Sequence, residues 1–198
     1  AENWYATICG QDAGTGVLVR VIDGRAKKIE GNPDYPMNQG KHSARSEAGL
    51  QALYHPDRIS SPKYRENKSG EFRDISWEEA RQLLADNVSN GGTAIITDPL
   101  SGHLALLVSK FAEGSGATHK AFKSVEEAVL AKVSEEVFGE KRLPDFDIAN
   151  SKYILSFGAD FLSTWQTPVR YASAYGEFRQ GHSTRGIHTH VDPRFSMT

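Results

Sequence analysis

The chain has 198 residues, with 23 lysines and arginines against 25 aspartates and glutamates, and a formal net charge of -2. This balance argues against an electrostatic nucleic-acid-binding protein, which normally carries a basic excess, so no nucleic-acid partner is expected. Hydrophobic residues make up 38% of the chain, and no apolar run approaches the roughly 20 residues that cross a bilayer, so the sequence predicts no membrane span.

Turn signals and short elements fill the first part of the chain. Residues 17–22 form an apolar run typical of a strand, Asp23-Gly24 is a hairpin turn signal, and residues 25–30 fit the returning strand. A loop with two prolines follows at 31–36, and residues 46–54 are predicted to form a short helix. We therefore expect a small β-hairpin-rich module over residues 1–70.

Strand and helix patterns then alternate over residues 71–198. Ser76 and Glu79 form a capping-box pattern that predicts the start of a helix. Four valines spaced four apart, beginning at Val125, indicate an amphipathic helix that Gly139 ends. The predicted helices are 77–88, 104–113, 125–138 and 168–178, and the predicted strands are 93–97, 118–122, 153–157 and 186–191.

This alternation predicts an α/β fold whose second portion is a mostly parallel, helix-covered, Rossmann-like sheet. The chain stops soon after its last predicted strand, at Thr198. Because a parallel sheet buries both faces, that strand needs cover from further chain or from a partner. The expectation is therefore that the sheet is incomplete and that the chain is the N-terminal piece of something larger. Alternatively, the helices already present cover the sheet.

Few residues point to chemistry. The single cysteine, Cys9, can form neither an internal disulfide nor an all-cysteine iron–sulfur cluster, and it is interpreted as a packing residue. His188 and His190 alternate within a predicted strand and would share one face. A metal site there is the less favoured interpretation, because no acidic or cysteine partner is expected nearby.

Two segments follow predicted strands at the edge where doubly wound sheets bind nucleotides. The first begins at Gly158. Alternatively, this glycine has no role in binding and only allows a tight turn. The second is Asp192-Pro193-Arg194, where the arginine could pair with a phosphate or with a carboxylate of the protein. No phosphate loop and no nucleophile elbow occur in the sequence.

Several motifs, taken in chain order, resemble the N-terminus of the molybdopterin oxidoreductase superfamily, also called the dimethyl sulfoxide reductase family. They are residues 16–21, Asp23-Gly24-Arg25, residues 30–36, Gly40-Lys41, residues 53–58, residues 75–80 and Asp192-Pro193-Arg194. The resemblance covers nearly the whole chain. It implies an N-terminal module that in most members holds a four-iron cluster through four cysteines, followed by a domain that binds molybdopterin guanine dinucleotide.

The resemblance also implies that the cluster is lost. The positions that match the four cysteine ligands are Ile8, Gln11, Thr15 and Ser43. Hydroxyl, amide and apolar side chains do not replace the thiolates that stabilise iron–sulfide clusters. Cys9 lies one residue from the first position, and Arg45 lies where the family often has a basic residue between cluster and pterin.

The loop after the 153–157 strand resembles the molybdopterin-like N-terminal half of one component of alternative complex III, a bacterial quinol oxidoreductase. Asp160 would bring negative charge towards an anionic pyrophosphate, and Phe161 and Leu162 would add bulk, so loss of the dinucleotide is expected. Alternatively, the loop packs differently without excluding a ligand. Ser124 lies near the position of the family's metal ligand, but a helix N-cap is the favoured interpretation.

The resemblance therefore predicts a module of degenerate iron–sulfur type over residues 1–70 and a fragment of a molybdopterin-like domain over residues 71–198. It predicts no catalytic, cofactor-binding or metal-binding residue in this chain. The expected function is that of a non-catalytic scaffold subunit of a membrane-associated quinol oxidoreductase complex, in respiratory or photosynthetic electron transport, on the periplasmic face of the bacterial cytoplasmic membrane. The expected partners are an iron–sulfur-binding portion, multihaem cytochrome c subunits and integral membrane subunits.

Two alternatives remain open at this point. One is a cluster-free molybdopterin-dependent oxidoreductase, truncated here. The other is a free-standing binding domain of the same fold.

Overall fold

The computed structural model describes residues 1–10, 14–100, 102–122, 125–180 and 185–198. The chain divides into two compact units. One consists of Ala1–Arg58 with Asp145–Thr198, and the other of Ile59–Pro144. The sequence predicts a boundary near residue 70 between two modules of the family fold. These two compact units do not test that boundary, which stays a prediction.

A three-stranded antiparallel sheet opens the first unit, in the order β1 (Glu2–Ile8), β2 (Gly16–Ile22) and β3 (Arg25–Gly31). The predicted hairpin between β2 and β3 is confirmed. Asp23 and Gly24 both have positive φ, 48° and 78°, as a two-residue turn matched to the twist of the strands requires. Strand β1 was not predicted from the sequence.

The inner face of this sheet carries a small apolar cluster. Cys9, Val17 and Ile29 are buried there, and Leu50 packs against them. This burial agrees with the interpretation of the cysteine as a packing residue.

One buried side chain fixes the loop that follows β3. The Asn38 amide accepts a hydrogen bond from the Gly16 N–H and donates to the Gly16 carbonyl, both at 2.9 Å. The same amide donates to the carbonyl of Lys41. Because Asn38 is only 4% exposed, these bonds satisfy polar groups that would otherwise be buried without partners.

The predicted 46–54 helix is two short helices, α1 (Ala44–Glu47) and α2 (Gly49–Tyr54). The helical segment begins earlier than expected because the Ser43 hydroxyl accepts a hydrogen bond from the Ser46 N–H at 3.1 Å and caps α1. Ala48 ends α1 and precedes the glycine that starts α2.

The second unit contains four strands and three helices among its described residues. They are β4 (Lys63–Tyr64), β5 (Arg73–Asp74), α3 (Trp77–Ser89), β6 (Ala94–Thr97), α4 (Gly102–Ser115), β7 (Thr118–Ala121) and α5 (Val125–Phe138). Strands β6 and β7 pair in parallel, as predicted. Ser76 caps α3 by accepting from the Glu79 N–H at 3.0 Å. The Glu79 carboxylate, however, accepts from Arg73 at 2.7 Å, so the reciprocal half of the predicted capping box is replaced by an ion pair.

Helix α5 has the predicted bounds, but its row of valines is not buried. Val129, Val133 and Val137 are 57%, 46% and 65% exposed. The spacing of four therefore marks an apolar face that the described residues of this unit leave largely exposed.

The first unit closes with β8 (Tyr153–Phe157), α6 (Pro168–Gln180) and β9 (Ile187–Val191). Strands β8 and β9 pair in parallel. The described residues thus form two separate two-stranded parallel sheets, rather than the single parallel sheet that the alternation predicts. No helix in the described ranges has the length and apolar character needed to traverse a bilayer.

Candidate functional site

The carboxyl ends of β8 and β9 lie at one edge of their sheet. Phe157 is the register partner of Val191, so the loops that follow the two strands start side by side. Gly158 has a φ of 63° and donates its N–H to the Val191 carbonyl at 2.9 Å. The glycine therefore permits the tight turn that the sequence suggested.

Thr198 engages the polar groups of the loop after β8. Its hydroxyl donates to Asp160 Oδ1 at 2.9 Å and accepts from the Leu162 N–H at 3.1 Å. Asp160 is only 7% exposed. The Asp160 carboxylate and the Leu162 N–H, which could otherwise bond a ligand, thus have Thr198 as their hydrogen-bond partner.

Phe161 packs into the core of the first unit. It is 3% exposed and belongs to a buried cluster with Ile148, Tyr171 and Phe178. Its ring centroid lies 6.5 Å from that of Tyr171 and 5.5 Å from that of His188. The expectation that Phe161 adds bulk against a ligand is therefore wrong, because the ring points into the protein.

The two histidines of β9 share one face, as predicted, and both contact Ser156 of β8. The Ser156 hydroxyl lies 3.2 Å from His188 Nε2 and 2.6 Å from His190 Nδ1. The Tyr175 hydroxyl of α6 lies 3.2 Å from His188 Nδ1. Neither Ser156 nor Tyr175 was singled out from the sequence.

His190 also has an acidic neighbour, contrary to expectation. Its Nε2 lies 3.4 Å from Asp192 Oδ2, and the Asp192 side chain is only 5% exposed. Asp192 Oδ1 accepts from the Arg194 N–H at 3.0 Å, and the Arg194 guanidinium lies 4.0 Å away. The arginine thus lies beside a carboxylate. In the described ranges no three His, Cys, Asp or Glu side chains are placed to hold a metal ion.

Burial lowers the pKa of His188 below its ordinary value of 6.5, and nearby His190 and Arg179 lower it further. The folded chain therefore binds this proton less readily than the unfolded chain. The contribution of neutral His188 to the free energy of unfolding is fully present above pH 6.5. It is lost as the pH falls from there through the lowered pKa. We expect His188→Gln to weaken this decline in melting temperature. The measurement is thermal unfolding from pH 8 to pH 5.

An exposed histidine of the same unit provides the control. The His55 side chain is 58% exposed, and His55→Gln is measured over the same pH range to show what replacing a surface histidine does. A parallel profile for His188→Gln and the parent would contradict the assignment.

A cavity of about 430 Å³ opens beside these loops. Its lining includes His190, Asp192, Arg194, Phe195, Ser196 and Thr198. Among the lining residues, the single carboxylate, that of Asp192, lies 4.0 Å from the single guanidinium, that of Arg194. The cavity therefore offers an anionic pyrophosphate no excess of arginine or lysine charge, and the Leu162 and Arg194 N–H groups are already bonded. These residues do not fit a pyrophosphate.

The described positions that the resemblance predicts to match cluster ligands also do not fit iron. Ile8 is an exposed apolar residue at the end of β1, and Ser43 caps α1. Thr15 is buried, and its carbonyl accepts from the Cys9 N–H at 2.9 Å. The only thiol belongs to the buried Cys9. Gln11 and Ser124 lie outside the described residues.

A second cavity in the first unit has a different character. It measures about 530 Å³ and is lined by Lys41, His42 and Arg45 together with residues at the start of α6. Arg45 is exposed, and His42 Nε2 lies 3.1 Å from Glu47 Oε2. The charged side chains of Lys41 and Arg45 lie beside the N-terminus of α6 in this cavity, and both features favour an anion.

Comparisons with known proteins show what the chain is similar to. The model of the molybdopterin oxidoreductase family matches residues 58–190. The menaquinone reductase molybdopterin-binding-like subunit of Nitratidesulfovibrio vulgaris is 35% identical over 82% of this chain and 24% of its own length. The arsenate respiratory reductase molybdopterin-containing subunit of Shewanella sp. is 30% identical over 98% of this chain and 24% of its own length. The chain thus spans about a quarter of the length of these relatives.

Proposed function

Because this chain belongs to the molybdopterin oxidoreductase family, we propose that it is a non-catalytic structural part of an oxidoreductase complex that exchanges electrons with a quinone, as in alternative complex III. The observation that carries the proposal is the absence of sulfur at the described cluster positions, which are Ile8, Thr15 and Ser43. Without thiolates this module has no place for an iron–sulfur relay.

The β8–β9 edge supports the same proposal. The carboxylates of Asp160 and Asp192 are buried there, and Thr198 holds the loop donors. The described residues of this edge are arranged to bond one another rather than to receive an anionic cofactor. On this proposal both family cofactors are lost, and the chain contributes its shape and a docking surface to the complex.

The relatives indicate the kind of assembly. One of them is named as a molybdopterin-binding-like subunit of a menaquinone reductase. By analogy, we infer that this chain docks to an iron–sulfur-binding portion, to multihaem cytochrome c subunits and to integral membrane subunits. Its place would be the periplasmic face of the cytoplasmic membrane.

One observation favours a second candidate, a cluster-free molybdopterin-dependent oxidoreductase. The cavity at Lys41, His42 and Arg45 offers positive charge to an anion. A relative that covers nearly the whole chain is named as molybdopterin-containing. In that case this cavity, rather than the β8–β9 edge, would contact the anionic part of the cofactor.

Metal and pterin analysis separates the two candidates. We expect the chain, purified with its partner subunits, to contain no stoichiometric molybdenum or tungsten. Its acid-oxidised extract should show no pterin fluorescence. The measurement is elemental analysis together with fluorescence of the acid-oxidised extract. A cofactor-bearing member of the family, purified in parallel, should give both signals. Stoichiometric metal and pterin in this chain would establish the enzyme instead.

A further inference from the structure

Strand β1 is the bare edge of the N-terminal sheet. All seven of its residues are exposed, whereas the opposite edge strand, β3, is in contact with α1 and α2. Trp4, Tyr5 and Ile8 are 46%, 55% and 52% exposed. The strand contains no proline or lysine and pairs with β2 without a bulge. Apart from the charge of Glu2 at one end, it therefore lacks the devices with which natural sheets usually protect an edge.

The register identifies the unused backbone groups of β1. Cys9 N–H donates to the Thr15 carbonyl at 2.9 Å, and Asp23 N–H donates to the Ala1 carbonyl at 3.0 Å. Odd-numbered residues of this strand therefore direct their backbone groups towards β2. The even-numbered residues, which direct theirs away from the sheet, are Glu2, Trp4, Ala6 and Ile8. No backbone hydrogen bond between described residues uses these outward groups.

We propose that β1 pairs with β1 of a second copy of this chain, antiparallel, across a two-fold axis at Tyr5. This register places Glu2 opposite the partner's Ile8 and Trp4 opposite the partner's Ala6. It is the one antiparallel register in which every outward N–H and carbonyl of the strand finds a partner, because all of the even-numbered residues then face one another. The result is one continuous antiparallel sheet across the dimer.

The side chains suit this register. A large indole lies opposite a small methyl group, so Trp4 covers the partner's Ala6 without a steric conflict between two large groups. The two Glu2 carboxylates lie at opposite ends of the paired strands, roughly 20 Å apart at about 3.3 Å per residue. A parallel pairing would place them side by side, which is unfavourable. This inference does not depend on the proposed function.

A proline at an outward position tests the hydrogen bonds. Ala6→Pro removes an N–H that the β1–β2 ladder does not use, so the chain should fold, while the dimer should dissociate about tenfold or more readily. Thr7→Pro is the matched control, since it removes an inward N–H and should lower the melting temperature. The measurements are sedimentation equilibrium and thermal unfolding. A parent chain that stays monomeric, as it would if another polypeptide covers this edge, overturns the proposal, as does a folded Ala6→Pro dimer.

A cross-link tests the register and does not depend on the proline variant folding. Across the axis, Tyr5 and the partner's Tyr5 form a non-hydrogen-bonded pair with Cα atoms about 4.5 Å apart, within disulfide range. In a Cys9→Ser background, copper phenanthroline with dioxygen as the oxidant should join two Tyr5→Cys chains. The control, Asn3→Cys, should not cross-link, because the two positions lie roughly 13 Å apart. Equal cross-linking of both variants would contradict the register.

Discussion

Phe161→Ala is expected to lower the free energy of unfolding by about 3–5 kcal/mol, the usual cost of deleting a buried aromatic ring. The ring is 3% exposed and packs edge-on against Tyr171 and Tyr175. Its removal leaves a cavity between β9 and α6 that neighbouring rings fill only in part. The measurement is urea-induced unfolding, with the melting temperature as a second readout.

Leu162 provides the matched control for this prediction. It is the next residue of the same loop and is only partly buried, so Leu162→Ala should cost clearly less. If Phe161→Ala leaves the unfolding free energy unchanged, the ring does not contribute to the core. The expectation that its bulk opposes a ligand would then stand again.

Gly31→Ala is expected to destabilise the first unit by about 3 kcal/mol or more. A Cβ at this position would lie 2.3 Å from the Gly40 carbonyl oxygen and 2.5 Å from that of Lys41. The buried Asn38 side chain donates to the Lys41 carbonyl, and the Gly40 N–H donates to the Asn32 carbonyl at 2.9 Å. The loop therefore has to move away from β3, which strains or breaks these bonds. Thermal and urea unfolding measure the effect.

A glycine in α6 provides the comparison. A Cβ at Gly176 meets nothing within 4 Å, so Gly176→Ala should stabilise the chain by roughly 0.5–1 kcal/mol through its better helix propensity. Equal effects of the two substitutions would show that close approach of the loop does not govern the behaviour of Gly31.

Local patterns were sufficient to predict most elements of this fold. The turn at Asp23 and Gly24, the cap at Ser76 and the valine spacing from Val125 each depend on residues close in sequence, and the corresponding elements form. Strand β1 was missed, although its run from Trp4 to Ile8 is rich in β-prone residues. Its pairing with β2 is a contact between segments that no two-residue turn joins.

The candidate site was predictable where it depends on strand periodicity and on local turn residues. Periodicity places His188 and His190 on one face, and the glycine at position 158 permits the turn after β8. The approach of Asp192 to His190 was missed, although the two are only two residues apart. The direction of Phe161 and the contact of Thr198 with Asp160 depend on packing between segments far apart in sequence. No local pattern encodes such contacts.

The Asn38 bonds have a consequence for what holds this module together. Its shape depends on Asn38, on the close approach at Gly31 and on the packing of Val17. None of these residues is one of the positions that we predict to match a sulfur ligand. The framework of this module is therefore held by its own packing and hydrogen bonds, without help from a bound metal cluster.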